Sequence, residues 1–374
     1  MKVLLISNYP PDAQESMLRY ADMLEHALRS RGVMVETVFP PPVLGRPSWL
    51  HGPWKKWAGY LDKYIFAFPY LRKKASAVDV IHICDHSNAM YLKCAGKKPC
   101  LITCHDLIAV FSARGKYPGV RVGKMGRLLQ NWIAGSLMQA KNIVCVSQKT
   151  LQDVKELCAH APQNLEVIYH PLHWKYAPAS REAIEAEKAK CGLTVHDEYF
   201  FHVGNNHWYK NRLGAMRIFS ELRKFPRFQN ARLVLAGKPW TREMRDFAQR
   251  MDLLDALVER VDISNEELQA LYSGAVALLF PSLEEGFGWP LLEAQACGCP
   301  VITSNRPPMT EIAGTAAIYI DPELPEQAAE VIDKNADDFR DLRSRGFENL
   351  RRFAFDPTMD RYLDLYHRLI QANA

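Results

Sequence analysis

Short apolar runs separated by amphipathic stretches dominate this chain. In the first half the runs fall at 2–7, 33–39, 79–83, 100–104, 142–147 and 165–169, and each predicts a strand. Between the first two, apolar positions recur at helical spacing over 16–31, and Gly32 supplies a C-terminal stop. The alternation pauses around 171–180, where His170-Pro171-Leu172 and Ala177-Pro178-Ala179 mark an interdomain linker. It resumes with a helix at 181–190 and strands at 198–203, 232–236, 257–261, 275–280, 301–303 and 317–320. A last helix is predicted over 357–371. This alternation predicts an α/β architecture with a parallel sheet in each half and helices on both of its faces. The halves read as two Rossmann-like doubly wound domains facing across a cleft, with ligands at the carboxyl ends of the strands.

A length of 374 residues fits two cores better than one. The boundaries are placed at 1–175, 176–352 and 353–374. Apolar content of 48% and charged content of 24% are those of a globular chain rather than a disordered one. No apolar run reaches the roughly 20 residues that span a bilayer, and the opening strand, soon interrupted by Pro10-Pro11, does not read as a signal peptide. Nine cysteines, scattered without a CxxC pair, predict a reduced cytoplasmic protein with no bound metal. Residues 1–190 hold 26 Lys and Arg against 15 Asp and Glu, a balance of +11; residues 191–374 hold 21 against 27, a balance of −6. The halves therefore meet different partners. No nucleic-acid recognition motif accompanies the basic half.

The richest stretch is Pro281-Ser282-Leu283-Glu284-Glu285-Gly286-Phe287-Gly288-Trp289-Pro290-Leu291-Leu292-Glu293. A strand runs into a glycine-punctuated loop that opens a helix with Pro290 at its first position. Free N–H groups at such a helix start attract an anion, and Gly286 and Gly288 admit a ligand close to the backbone. Glu285 and Glu293 then flank a place suited to a phosphorylated sugar, with Phe287, Leu291 and Leu292 beside them. This stretch resembles the Glu-x7-Glu motif of the retaining glycosyltransferases of family 4, which have the GT-B fold. The likeness continues through Ala296-Cys297-Gly298-Cys299-Pro300-Val301-Ile302 and Glu311-Ile312-Ala313-Gly314.

The resemblance implies that Glu285 lies against the donor sugar and that Glu293 hydrogen-bonds the ribose of the nucleotide. Val203-Gly204-Asn205-Asn206-His207-Trp208-Tyr209-Lys210-Asn211 is similar to the family's VGxxxxxKN loop, which puts Lys210 on the departing diphosphate. Asn205 or Tyr209 stands where an Arg is frequent, so Arg212 is the candidate second cation. Lys238 occupies a similar position after the next strand. Ser264 with Glu267 is a helix capping pair in its own right, and the resemblance adds a base contact at Ile263. The chain has no Asp-x-Asp, so no metal is expected on the diphosphate. A last helix crossing back to the first domain is also implied.

In the first half, His105 ends a strand in Thr103-Cys104-His105-Asp106-Leu107, and the family has a His-Asp or His-Glu pair here near the sugar's C6 hydroxyl. Asp106 is read as orienting the imidazole or ringing the acceptor. The main departure is Pro10-Pro11-Asp12-Ala13-Gln14-Glu15-Ser16-Met17, which lacks the family's glycine pair. Asp12 and Glu15, and the cluster Asp85, His86 and Asn88, are acceptor-side candidates. Residues 49–74 interleave aromatics, among them Trp49, Trp54, Trp57 and Tyr64, with Lys55, Lys56, Arg72, Lys73 and Lys74. Three readings stay open for it: a core helix, an acceptor-stacking surface, and a contact with an anionic membrane.

The expected activity is retaining, metal-independent transfer of a hexose from a UDP- or GDP-sugar to a hydroxyl of a glycan, glycolipid or small-molecule acceptor. A nucleotide-sugar epimerase on the same fold and a non-catalytic nucleotide-sugar-binding protein are the alternatives. No cofactor is expected. The expected location is cytoplasmic, with a peripheral contact at the inner face of the membrane as a further expectation.

Overall fold

The computed structural model describes residues 1–45, 52–158 and 162–373. Trp49 lies outside the described residues, as does the side chain of Lys55. The chain divides into two units, one made of Met1–His173 with Phe355–Ala374 and the other of Trp174–Ala354. No helix among the described residues is long and apolar enough to cross a membrane.

The first unit holds β1 (Lys2–Ile6), β2 (Met34–Val38), β3 (Val80–Ile83), β4 (Cys100–Cys104), β5 (Asn142–Cys145) and β6 (Asn164–Val167). They form one parallel sheet in the order β2-β1-β3-β4-β5-β6. β1, β3, β4 and β5 are buried almost throughout because helices cover both faces, which is why they read as continuous apolar runs. The second unit holds β7 (Tyr199–Gly204), β8 (Arg232–Gly237), β9 (Leu257–Val261), β10 (Ala277–Phe280), β11 (Val301–Ser304) and β12 (Ile318–Ile320). Their order is β12-β11-β10-β7-β8-β9, again all parallel.

Both orders reverse direction once, between β1 and β3 in the first unit and between β7 and β10 in the second. Loops leaving the carboxyl ends of two such strands diverge to opposite faces and leave a crevice, so these two places are where each sheet accepts a ligand. At the second, β7 and β8 end on the paired glycines Gly204 and Gly237. Gly237 has φ 129°, and a Cβ there would stand 2.0 Å from the carbonyl oxygen of Gly204, so no side chain fits.

The last helix, Phe355–Gln371, belongs to the first unit and is seated by buried polar bonds. The Tyr20 hydroxyl donates to Tyr362 (2.9 Å) and lies 3.0 Å from Thr103 Oγ1. His82 lies 2.7 Å from Thr103 Oγ1 through Nε2 and 2.7 Å from the Tyr366 hydroxyl through Nδ1. With the Tyr20 proton spent on Tyr362, Thr103 donates to Tyr20, His82 Nε2 donates to Thr103, and Tyr366 donates to Nδ1. His82 is satisfied at both ring nitrogens as a neutral imidazole. Burial accordingly pulls the His82 pKa down to about 3, with His105 adding to the effect.

Candidate functional site

In the second unit the loops after β7 and β10 carry the motif residues. The helix after β10 is Trp289–Ala296, so Pro290 falls at its second position rather than its first. Its N-cap is Gly288 with φ 97°, a conformation that favours glycine. Glu285, 6% exposed, is met by Lys210, whose Nζ donates to Oε1 at 2.7 Å and to Oε2 at 2.9 Å. The Leu283 N–H donates to the Tyr209 carbonyl at 2.7 Å, and Asn211 Nδ2 donates to the Pro281 carbonyl at 2.9 Å. Backbone and side chain thus tie the two loops into one body at the strand reversal. Glu293 is buried, and its Oε2 accepts from the Tyr272 hydroxyl at 2.8 Å.

Arg212 is buried, and one of its nitrogens is engaged within the protein. Its Nη1 donates to Asn206 Oδ1 (2.5 Å) and to the Lys238 carbonyl (2.6 Å), clamping the loop after β7 to the loop after β8. Asn206 Nδ2 adds a bond to the Pro239 carbonyl at 2.8 Å. Burial lowers the Arg212 pKa to about 10, with Glu259 pulling the other way. Nη1 thus clamps the two loops, while Nε and Nη2 are buried without a hydrogen-bond partner among the described residues. Asn205 Oδ1 accepts from the His207 N–H at 3.0 Å and shapes the turn, while the Lys238 side chain is exposed. Leu291 and Leu292 are fully buried and Phe287 nearly so, its ring 6.0 Å from that of Phe353. Their side chains are packed into the unit. Ile263 precedes the helix Asn265–Gly274, whose Ser264–Glu267 capping box is fully formed.

In the first unit, Asp85, His86 and Asn88 come together at the β1–β3 reversal, joined by Asn8, Gln14 and Ser87. Asn8 Nδ2 donates to Asp85 Oδ2 (2.6 Å) and to Gln14 Oε1, and Asn8 Oδ1 accepts from Asn88 Nδ2 (3.1 Å). The Ser87 N–H donates to Asp85 Oδ1 at 3.1 Å. His86 Nδ1 lies 3.0 Å from Asp85 Oδ1. Burial opposes charge on both, yet His86, His105 and the Asn8 hydrogen bond hold Asp85 well below the usual carboxylate range. Burial likewise works against His86, but Asp85 and Asp106 raise it above its ordinary value.

His105 is buried, with Nε2 donating to the Cys84 carbonyl (2.8 Å), which leaves Nδ1 to accept from His170 Nε2 (3.1 Å). The two rings stack with centroids 5.0 Å apart, and the Tyr20 ring meets His105 edge-on at 4.9 Å. Asp106, read from sequence as orienting this imidazole or ringing the acceptor, accepts at Oδ1 from the Ile108 N–H (2.9 Å) at the start of the short helix Ile108–Ala113. Asp12 and Glu15 do not join the cluster by any hydrogen bond or ion pair described. Asp12 pairs with Lys63 at 2.6 Å and Glu15 with Arg19 at 3.5 Å. Sequence reasoning missed Asn8, Gln14, His170 and Tyr272. Asn8 had a legible signal, a polar residue just past an apolar strand, whereas Tyr272 is marked only by where its helix packs.

Comparison with known proteins agrees with this architecture. Residues 183–351 match the family described as glycosyl transferases group 1, and residues 17–175 match glycosyltransferase family 4. Among curated relatives, O-antigen chain mannosyltransferase B of Escherichia coli is 26% identical over 71% of this chain and 70% of its own length. O-antigen chain mannosyltransferase RfbU of Salmonella typhimurium is 25% identical over 68% of this chain and 65% of its own. Serotype-specific mannosyltransferase WbdA of Escherichia coli is 24% identical over 72% of this chain, which spans only a third of that protein. Among solved structures, sucrose-phosphate synthase from Thermosynechococcus elongatus superposes with a TM-score of 0.78 at 18% identity, covering 100% of both chains. Anabaena HepE in complex with UDP and glucose gives 0.72 at 14% identity over 97% of this chain and 98% of that one. WaaG, a glycosyltransferase involved in lipopolysaccharide biosynthesis, gives 0.68 at 18% over 98% and 99%. With family matches on both halves and GT-B structural neighbours along its length, the chain belongs to the family 4 glycosyltransferases and has the GT-B fold.

Proposed function

We propose that the protein transfers a hexose from a UDP- or GDP-sugar to a hydroxyl of a glycan or lipid-linked acceptor, with retention of anomeric configuration and without a metal. The observation that carries this reading is the Lys210–Glu285 contact at the β7–β10 reversal, with Glu293 on the helix that follows. A cation, a carboxylate and a helix N-terminus at one strand crossover match the three demands of a nucleotide-sugar donor: charge on the diphosphate, an oxygen acceptor for sugar hydroxyls, and one for ribose. Mannosyltransferase relatives favour mannose among the donor sugars to be tried first.

On this reading Lys210 neutralises the leaving diphosphate, and Glu285 positions the sugar and stabilises positive charge developing at the anomeric carbon. Gly204, Gly286 and Gly288 bring backbone close to the phosphates. The departing phosphate takes the acceptor's proton, so no separate general base is required. The cluster at Asn8, Asp85 and Asn88 supplies acceptor contacts. His105 Nδ1 reaches a sugar hydroxyl by exchanging its bond from His170. An anionic membrane surface is the remaining partner.

The test is a panel of UDP- and GDP-sugars scored by thermal stabilisation, which tracks affinity, followed by nucleotide release with and without acceptor glycans. Release that depends on acceptor, with an NMR-assigned product of unchanged anomeric configuration, is expected. Conversion of the donor to an isomeric sugar without acceptor would replace transfer by epimerisation.

A further inference from the structure

The loop after β1 runs Asn8-Tyr9-Pro10-Pro11-Asp12-Ala13-Gln14 without a glycine, beside the strand reversal of the first unit. Two prolines fix φ over a single tight turn, Pro10–Asp12. Ala13 follows with φ 49°, a region that favours glycine, and its N–H donates to the Pro10 carbonyl at 3.0 Å. Backbone of this kind persists only where the surroundings hold it in place.

Those surroundings come from a helical run in the same unit. Gly52–Leu61 continues through a π-helical turn, Asp62–Phe66, into Ala67–Ala75. Ala58, Ala67, Leu71 and Ala75 are buried on it, while Trp54 (77% exposed), Trp57 (54%) and Ile65 (57%) face outward. Asp62, the first residue of the π turn, is fully buried and accepts from three donors. They are the Tyr9 hydroxyl (2.7 Å), the Leu44 N–H (2.9 Å) and the Gly45 N–H (2.8 Å). Leu44 and Gly45 lie on the segment that leaves β2, so one carboxylate joins the chain beyond the carboxyl ends of two neighbouring strands. A Cβ at Gly45 would run into the Tyr9 hydroxyl. Lys63, the next residue, pairs with Asp12 at 2.6 Å, its ammonium 5.5 Å from the centre of the Tyr9 ring. Adjacent helical side chains diverge by about 100°, yet both of these serve one loop. π turns are found mostly at functional sites.

From the other side, Asn8 is drawn to Asp85 at 2.6 Å and also donates to Gln14. The loop is thus stretched between two buried carboxylates, Asp85 through Asn8 and Asp62 through Tyr9. We propose that Asp62 is a positioning residue of the acceptor site. Through Tyr9 and the N–H groups of Leu44 and Gly45 it fixes the loop that carries Asn8 and the segment packed against it. The acceptor role rests on the proposed transfer, while the fixing of the loop does not. A carboxylate buried among neutral donors carries a desolvation cost that an apolar side chain would avoid, and what it gives instead is one defined loop geometry. A loop ordered in advance spares the acceptor the cost of ordering it on binding.

Tyr9→Phe and Asp62→Asn dismantle this arrangement in two nearly isosteric steps. Each should raise the acceptor KM, measured with mannosyl disaccharides: about tenfold for Tyr9→Phe and on the order of 100-fold for Asp62→Asn. Donor affinity and kcat should stay near those of the wild type. Hydrogen exchange should quicken in both variants over residues 8–14 and at Leu44 and Gly45, with the second unit unchanged. Tyr9→Phe keeps the carboxylate and its two backbone donors, so it remains decisive where Asp62→Asn does not fold. A lowered melting temperature with the acceptor KM unchanged in either variant makes Asp62 a scaffold residue and overturns the proposal. So does a loss spread equally over acceptor KM, donor affinity and kcat, or unchanged exchange in both segments. A wild type that releases no nucleotide on adding acceptor counts against transfer and the acceptor role together, and the exchange rates then decide the loop fixing by themselves.

Discussion

The ammonium of Lys210 bridges both carboxylate oxygens of Glu285, at 2.7 Å and 2.9 Å, across 75 residues of sequence. A side chain expected to face a phosphate is thus also what keeps a buried carboxylate in place, and it has two jobs to lose. Lys210→Ala should cut turnover on the order of 100-fold and also lower stability by about 1–3 kcal/mol, because Glu285 is left buried without its partner. Adding Glu285→Ala should restore the stability but not the turnover. Urea unfolding and single-turnover assays on the two variants check both halves. Full stability in Lys210→Ala would mean the contact is not maintained in solution.

Glu293→Ala should chiefly weaken nucleotide binding. A charge-assisted hydrogen bond to ribose is worth roughly 1.5–3 kcal/mol, or about 10- to 150-fold in affinity. Tyr272→Phe removes only the hydroxyl that holds Glu293 Oε2 at 2.8 Å and should give a smaller loss of the same kind. Calorimetric titration with UDP and GDP decides it. Unchanged affinity in Glu293→Ala, for whichever nucleotide the wild type binds, removes this carboxylate from the site.

Arg212 should behave as a clamp. Arg212→Lys keeps the charge but not the two-acceptor reach to Asn206 and the Lys238 carbonyl. Lowered turnover with a smaller change in nucleotide affinity is expected, since the loop bearing Lys210 is loosened rather than stripped of a cation. A loss confined to nucleotide affinity, equal in Arg212→Lys and Arg212→Gln, would instead make it a direct ligand.

Acid should unseat the C-terminal helix. His82 titrates near 3 when folded against 6.5 ordinarily, so the unfolded chain takes up a proton that the folded one refuses. Its neutral network is intact above about pH 6.5, and stability falls below that by up to roughly 1.4 kcal/mol per pH unit. His173, lowered to about 4, and the lowered His105 and His170 act in the same direction, while the raised His86 offsets part. His82→Gln should be less stable at neutral pH yet show a shallower acid slope in urea unfolding. An identical slope would place the acid sensitivity elsewhere.

On the proposed reading chelation should leave transfer intact, because Lys210 and the N–H groups at the start of Trp289–Ala296 would supply the charge a metal otherwise brings. Activity abolished by EDTA and restored by magnesium or manganese would contradict the metal-independent reading.

The sequence by itself determined what is local. Apolar runs placed the twelve strands of the described residues to within a few residues, most plainly the inner ones, because a strand covered by helices on both faces must be apolar along its length. Ser264 and Glu267 announced their capping box, and Gly286 and Gly288 their loop, because such features are closed within a few residues. Glu285, Glu293 and Lys210 stood out as candidates through the resemblance of their stretches to family motifs, which are likewise local in sequence. Only the tertiary structure decided which of these side chains meet. Strand order put β7 beside β10 and so brought Lys210 to Glu285; it put β1 beside β3 and so made Asn8 a partner of Asp85. It turned Arg212 inward, brought Asp106 to the Ile108 N–H, and split the aromatic helix into a buried face of Ala and Leu and an exposed face of Trp and Ile. None of this has a local signal, since hydrogen-bond partners and burial depend on neighbours tens of residues away, and helical periodicity alone does not say which apolar face a core will cover.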